Sequence, residues 1–294
     1  MLSCRMAART PPIPDTTPRG ARITALRAAF RTVGSLAPDV AARWAEALFC
    51  RPPRQEARAA EETFLATGRP FAVPASAGPL SAWEWGEGPL VVLAHGWGSR
   101  AGRWATLAPM LVGAGFRVIT YDAPAHGRSP GRIASLPEFA DALRAVASER
   151  GPVHGVVGHS LGGAAIAVAL DRGLRARRAV LIAAPSNPEV FADRFATVLG
   201  IPPAVRRAMQ TNLERRLGVE WKHLHLPSIA ARIDVPALIV QDTDDPDVTV
   251  DDAKAIQAAW QNAELLVTTG HGHRAVIRAP EIMHRTVAFM ASGG

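Results

Sequence analysis

Residues 153–170 narrow the fold more than any other stretch of the chain. Val153-His154-Gly155-Val156-Val157 reads as a short buried strand, Gly158-His159-Ser160-Leu161-Gly162-Gly163 as a turn, and residues 164–170 as an apolar helix. A backbone that passes from strand to helix in so few residues must turn sharply. The residue at the apex is forced into an unfavourable conformation, so its neighbours need little or no side chain. Gly158 and Gly162 meet that need on either side of Ser160, and Gly163 lets the helix approach the strand. Such a turn lifts the Ser160 hydroxyl above the end of a sheet. It also sets a helix N-terminus beneath that hydroxyl, where the helix dipole favours developing negative charge. An ordinary Gly-rich strand-to-helix turn shares part of this pattern, so the reading depends on what the rest of the chain supplies.

From residue 71 onward, short aliphatic runs alternate with amphipathic segments of helical length. Strands are expected at 71–74, 81–85, 90–94, 117–121, 153–157, 179–183, 237–240 and 264–268, the first two as an antiparallel hairpin turning at Ala77-Gly78-Pro79. Helices are expected at 104–113, 136–149, 161–172, 251–259 and 281–290. The later strands are continuous apolar runs, the pattern of parallel strands buried on both faces. The fold class is therefore α/β, a mostly parallel eight-stranded sheet with helices on both faces. Residues 186–233 break the rhythm with three helix-like stretches and no strand, which reads as a small helical cap over the C-terminal edge of the strands. Residues 1–20 read as a disordered tail and 21–68 as an N-terminal helical extension divided by Pro38, packed on a main domain of 69–294.

Composition limits the alternatives. The net charge is +7, but the basic residues are almost all arginine, scattered along the chain; Lys222 and Lys254 are the lysines. No basic block or recognition motif accompanies the charge, so no nucleic-acid partner is expected. No run approaches the roughly 18 apolar residues of a membrane span. Two cysteines, Cys4 and Cys50, do not make a disulfide framework and fit a cytoplasmic location.

A serine hydroxyl needs a base to take its proton before it attacks. Two loops near the end of the chain hold candidates, and both leave strand ends on the same side as Ser160. The loop after 237–240 holds Asp242, Asp244, Asp245 and Asp247; the loop after 264–268 holds His271 and His273. A hydroxyl, an imidazole and a carboxylate can converge there, the His as general base and the Asp fixing its tautomer.

The chain resembles the α/β-hydrolase superfamily of serine hydrolases from residue 81 to residue 290. The resemblance is carried by His95-Gly96-Trp97-Gly98, Asp122-Ala123-Pro124-Ala125-His126-Gly127-Arg128-Ser129, Gly158-His159-Ser160-Leu161-Gly162-Gly163, the Asp-rich loop and Gly272-His273. It implies Ser160 as nucleophile. It implies Asp245 as the acid, because Val248 follows three positions on, with Asp244 as the fallback. It implies His273 as the base, aligned by its preceding Gly and the short helix beyond it, with His271 as the alternative. It makes the backbone N–H groups of Trp97 and Leu161 the oxyanion hole. The side chains of His95, Asp122 and His126 are expected to brace their loops. The function implied is cleavage of a carboxylic ester, or a related acyl bond, of a small molecule through an acyl-enzyme on Ser160. No metal and no organic cofactor is called for. Thioester, amide or lactone cleavage and cofactor-free perhydrolysis would use the same triad, and a non-catalytic binding protein on this fold is the alternative of another class. The sequence does not specify an oligomeric state.

Overall fold

A computed structural model describes residues 17–292. The N-terminal part holds α1 (Thr17–Leu36), α2 (Pro38–Phe49) and α3 (Ala59–Ala66), with residues 51–58 forming no regular element between the last two. The first half of the sheet follows as β1 (Arg69–Val73), β2 (Leu80–Trp85), β3 (Leu90–Ala94), α4 (Leu107–Gly113), β4 (Arg117–Tyr121), α5 (Leu136–Arg150), β5 (Val153–His159), α6 (Leu161–Asp171) and β6 (Ala176–Ile182). The excursion after β6 contains α7 (Pro188–Leu199), α8 (Pro203–Leu217) and α9 (Leu226–Ala230). The chain then closes with β7 (Ala237–Asp242), α10 (Val250–Ala259), β8 (Ala263–Thr268), α11 (Gly272–Ala275) and α12 (Pro280–Ala291). Of the expected tail of residues 1–20, residues 1–16 lie outside the described residues, and residues 17–20 form the start of α1 instead.

The eight strands form one sheet in the order β1-β2-β4-β3-β5-β6-β7-β8. β1–β2 and β2–β4 pair antiparallel, and every other neighbouring pair is parallel. This is the α/β sheet that the sequence pattern implies. One apolar layer lies between the sheet and α5, α6, α9 and α10; another lies on the opposite face with α4 and α12. The chain runs outward from β3 to β4, then returns to lay β5 on the other side of β3. Reversals of this kind open the crevice in which α/β sheets bind ligands. Ala94 and Gly158 pair in register at the ends of β3 and β5, so the loops that leave these strands start side by side.

Three local expectations are corrected. The segment expected as one helix over 104–113 is a 3₁₀ turn (Ala101–Trp104) followed by α4. Pro109 accounts for the break: a helix begun at Trp104 would place its ring against the carbonyl of residue 105, whereas a start at Leu107 puts it in the first turn. β8 is not buried on both faces, because it pairs only with β7 and forms the sheet edge, and none of its residues is fully buried. β6 starts three residues ahead of its apolar run, since the ladder to β5 already holds at Val153–Ala176.

α1 and α2 rest mainly on α7 and α8, whereas α3 packs on β2 and the 3₁₀ turn through Phe64 and Leu65. Ala41, Ala42 and Ala45 make a fully buried small-residue face on α2, which packs closely on α8. Glu46 of α2 pairs with Arg216 of α8 at 2.9 Å, and Arg216 also donates to Cys50 Sγ. Burial pushes the Cys50 thiol up to about 12, so it stays protonated and behaves as an apolar core group.

Candidate active site

Ser160 sits at the junction of β5 and α6 with φ +54° and ψ −122°, a conformation that L-residues rarely adopt. The surrounding glycines are demanded by contact. A Cβ on Gly158 would lie 2.5 Å from the Gly162 carbonyl, and one on Gly162 would lie 2.3 Å from the Ala94 oxygen and 2.5 Å from the His95 oxygen. Neither neighbour is a flexible side-chain end, so the backbone would have to move. Gly162→Ala is therefore expected to destabilise the protein by about 3 kcal/mol or more. A fall in Tm of roughly 6–12 °C on thermal unfolding would show it; an unchanged Tm would contradict the packing described.

The loop after β3 reaches the serine from the adjacent strand. A Cβ on Gly96 would stand 2.9 Å from Ser160 Cβ, so only glycine lets the backbone pass so near. Trp97 and Leu161 line the same cavity as Ser160. Among the described residues, the backbone N–H groups of Trp97 and Leu161 have no protein acceptor. The loop is held from behind. His95 Nε2 accepts the Ala123 N–H at 3.0 Å, and His126 Nε2 accepts the Gly98 N–H at 2.9 Å. Asp122 accepts the N–H groups of Ala101 and Arg128, each at 2.7 Å. These three side chains thus brace the turns.

His273 bridges the serine to an acid. Its Nε2 lies 3.0 Å from Ser160 Oγ and its Nδ1 lies 2.7 Å from Asp245 Oδ2. The carboxylate can only accept, which places the ring proton on Nδ1 and leaves Nε2 to accept from the hydroxyl. Asp245 is fully shielded from solvent at its side chain and accepts the N–H groups of Asp247 and Val248 at 2.8 and 2.9 Å on its other oxygen. Burial pushes this carboxyl up, but the His273 ring and the Val248 and Asp247 amides outweigh it and hold the group below the ordinary carboxylate value. Asp244 points elsewhere, accepting the Gly270 N–H at 3.1 Å. His271 pairs with Glu281 near the surface. Asp245, Asp247 and His273 offer ligand atoms within 4.8 Å of one another. Asp245 and His273 already share a 2.7 Å bond, so the cluster belongs to this site.

Two positioning residues escape a reading by sequence. Asp242 accepts the N–H groups of Asp244, His271 and Gly272 at 3.0, 3.2 and 2.9 Å, and the Thr268 hydroxyl at 2.9 Å, which ties the acid loop to the histidine loop. His159 Nε2–H donates to the His273 carbonyl at 2.7 Å, gripping the backbone from below. The only signal for either lies in its place beside a strand end.

Three imidazoles here are buried and neutral. Burial lowers His95 to about 4 and His126 and His159 to about 3; proximity of His95 adds to the effect on His126, and of His273 to that on His159. The unfolded chain takes up a proton at each of these near pH 6.5, and the folded chain does not. Their contribution to stability is thus complete above pH 6.5 and lost as pH falls from there through about 4 for His95 and about 3 for His126 and His159. The expected slope is at most about 4 kcal/mol per pH unit. Urea unfolding at pH 7, 6 and 5 measures it; a stability independent of pH over this range would contradict the burial of these rings.

Above Ser160 lies a cavity of about 600 Å³, within the usual range for small-molecule sites. Cap residues Phe191, Phe195, Leu213 and Trp221 line it together with Phe49 of α2. Trp221 both packs and lines: it is buried, with Phe49 beside its ring at 6.1 Å and the Arg206 guanidinium 5.1 Å above it. The cap is fastened at its root, where the Ser186 carbonyl accepts the Leu226 N–H at 2.8 Å and the Ser186 hydroxyl donates to Asp252 at 2.5 Å.

A strained serine at a strand–helix junction on a sheet of this topology defines a class, and the sequence of the chain matches that class directly. The chain belongs to the alpha/beta hydrolase family, whose model matches residues 91–285, and it is an enzyme of the α/β-hydrolase class. Among curated proteins it is 29% identical over 254 residues to the non-heme chloroperoxidase of Streptomyces lividans, covering 68% of this chain and 91% of that one. It is 32% identical over 154 residues to the non-heme haloperoxidase of Rhodococcus erythropolis, covering 49% of this chain and about half, 55%, of that protein. Among solved structures, carboxylesterase CesB from Bacillus subtilis superposes with a TM-score of 0.60 at 20% identity, over 80% of this chain and 97% of that one. The Pyrococcus furiosus esterase Pf2001 gives 0.63 at 19% identity, over 82% and 98%. At these identities the structural likeness concerns the fold.

Proposed function

We propose that the protein is a serine hydrolase that cleaves a carboxylic ester, or a related acyl bond, of a small molecule through an acyl-enzyme on Ser160. The observation that carries this reading is His273, within hydrogen-bond reach of both Ser160 Oγ and Asp245. In the first half-reaction the Ser160 oxygen bonds to the acyl carbon while its proton passes to His273 Nε2. The carbonyl oxygen, now negative, is held by the N–H groups of Trp97 and Leu161. The bond to the leaving group breaks, and His273 returns the proton to that oxygen. Water then repeats the sequence, freeing the acid and restoring the serine. Asp245 stabilises the imidazolium in both halves. None of these steps calls for a metal or organic cofactor.

The names of the curated relatives favour one variation. Two are non-heme haloperoxidases, and hydrogen peroxide in place of water in the second half-reaction would release a peracid from the same acyl-enzyme. The division of the chain into an N-terminal helical extension, a main domain and a cap near 186–233 belongs to this proposal. So does a cytoplasmic location: among the described residues no helix is long and apolar enough to cross a membrane, and cysteines are few.

A fluorophosphonate tests the nucleophile without knowledge of the substrate. The folded protein is expected to gain one label, mapped by peptide mass spectrometry to Ser160, with loss of p-nitrophenyl butyrate hydrolysis in step. Folded protein that stays unlabelled would favour a non-catalytic binding role.

A further inference from the structure

The lining of the cavity is divided by chemistry. Its cap side is apolar, built from Phe49, Phe195, Leu213, Leu217, Trp221 and Leu224. The remainder is rich in arginine. Arg58 comes from the irregular segment before α3, Arg103 from the 3₁₀ turn beyond Trp97, and Arg274 and Arg278 from the residues that follow His273. Among the described residues none of these four makes an ion pair. The lining contributes three carboxylates, Glu56, Glu61 and Asp247. Arg103 is half-buried and donates to the Arg274 carbonyl at 2.8 Å, which holds two of the three segments together. Its guanidinium is shifted down by burial and then by Arg278, Arg58 and Arg274, with Glu61 the opposing charge, so the group sits in a net positive field. Gathered like charges repel, and a bound anion relieves that repulsion.

The direction of the reaction assigns the two sides. His273 must hand its proton to the leaving group, so the leaving group lies on the His273 side of Ser160. Arg274 is the next residue, Arg278 follows within one more turn, and Arg103 is bonded to this segment. The acyl chain then extends the other way, toward the cap. Resting on the proposed role of Ser160, we infer that the preferred substrates join an apolar acyl chain to a leaving group that carries an anion, a carboxylate or a phosphate, held by Arg58, Arg103, Arg274 and Arg278. Guanidinium suits both anions, since its planar fork meets two oxygens at once.

Hexanoate esters of three phenols test this with the full chain: 4-hydroxybenzamide as neutral leaving group, 4-hydroxybenzoate as carboxylate and 4-hydroxyphenyl phosphate as phosphate. At low ionic strength kcat/KM for an anionic ester is expected to exceed that for the neutral one by about tenfold or more. The preference should shrink in about 0.5 M NaCl. The better of the two anions identifies the source of the charge. In Arg58→Gln/Arg278→Gln the ratio of anionic to neutral kcat/KM is expected to fall toward one. Both side chains are exposed and hold no hydrogen bond to the rest of the described chain, so the double variant should keep its Tm. Equal rates for all three esters in the wild type would overturn the inference, as would a variant that slows all three alike. If none turns over while fluorophosphonate still labels Ser160, the inference fails alone; if labelling fails too, the serine-hydrolase reading fails with it.

Discussion

Ser160→Ala is expected to lower the kcat for an activated ester on the order of 10⁵-fold or more, leaving only what binding and the oxyanion donors provide. The loss is large because the proposed reaction is routed through a bond to the Ser160 oxygen, and alanine would leave His273 with no hydroxyl to deprotonate. Folding should not suffer. Ser160 contributes no helix-capping hydrogen bond, and its backbone strain is unchanged by alanine. Ser160→Gly provides a second arm. Glycine accepts φ +54° at little cost, so this variant should be equally inactive yet more stable than the wild type by about 1 kcal/mol. Steady-state kinetics and thermal unfolding of both variants check the pair. Activity that survives either substitution would remove the acyl-enzyme from consideration. A glycine variant no more stable than the parent would mean that the turn stores no strain.

The second large effect separates the acids. Asp245→Asn is expected to lower kcat by about 10⁴-fold, and Asp244→Asn by no more than about threefold. In Asp245→Asn the new side-chain oxygen could still accept the Asp247 and Val248 amides, which directs the NH₂ group toward His273. The ring would then have to present a lone pair at Nδ1 and carry its proton on Nε2, facing Ser160. A histidine in that tautomer cannot take the serine proton. Asp244 accepts the Gly270 N–H and lies outside this chain of bonds, so its replacement by an amide leaves the tautomer alone. His273→Ala against His271→Ala makes the same distinction for the base, because His271 is engaged with Glu281. Equal losses in Asp244→Asn and Asp245→Asn would show that the loop, rather than one carboxylate, supports the histidine.

The chemistry at the turn around residue 160 was legible because it is local. Three glycines within six residues, placed between an apolar strand and an apolar helix, report a steric demand that the neighbouring backbone makes. The parallel strands were legible for a related reason: burial on both faces leaves an uninterrupted aliphatic run. β8 departs from that rule because edge position is a property of the whole sheet, and nothing within its own residues states which neighbour is missing.

A serine between glycines at the end of a strand was thus determined by the sequence alone, together with the α/β alternation around it. Which acid and which histidine approach that serine was a different matter. Asp242, Asp244, Asp245 and Asp247 are chemically alike and stand within six residues, so their own chemistry does not distinguish them, and the choice of Asp245 rested on a family resemblance. Their separate tasks follow from where the end of β7 directs each side chain: Asp242 to the backbone of the histidine loop, Asp245 to His273, Asp244 to Gly270. The cavity wall depended on tertiary structure still more. Phe49 and Arg58 precede Ser160 by about a hundred residues, and they meet the site only because α2 packs on the cap and the segment after it runs along the mouth. Local sterics are written in neighbouring residues; contacts between distant segments are fixed by packing, and only the folded chain brings them together.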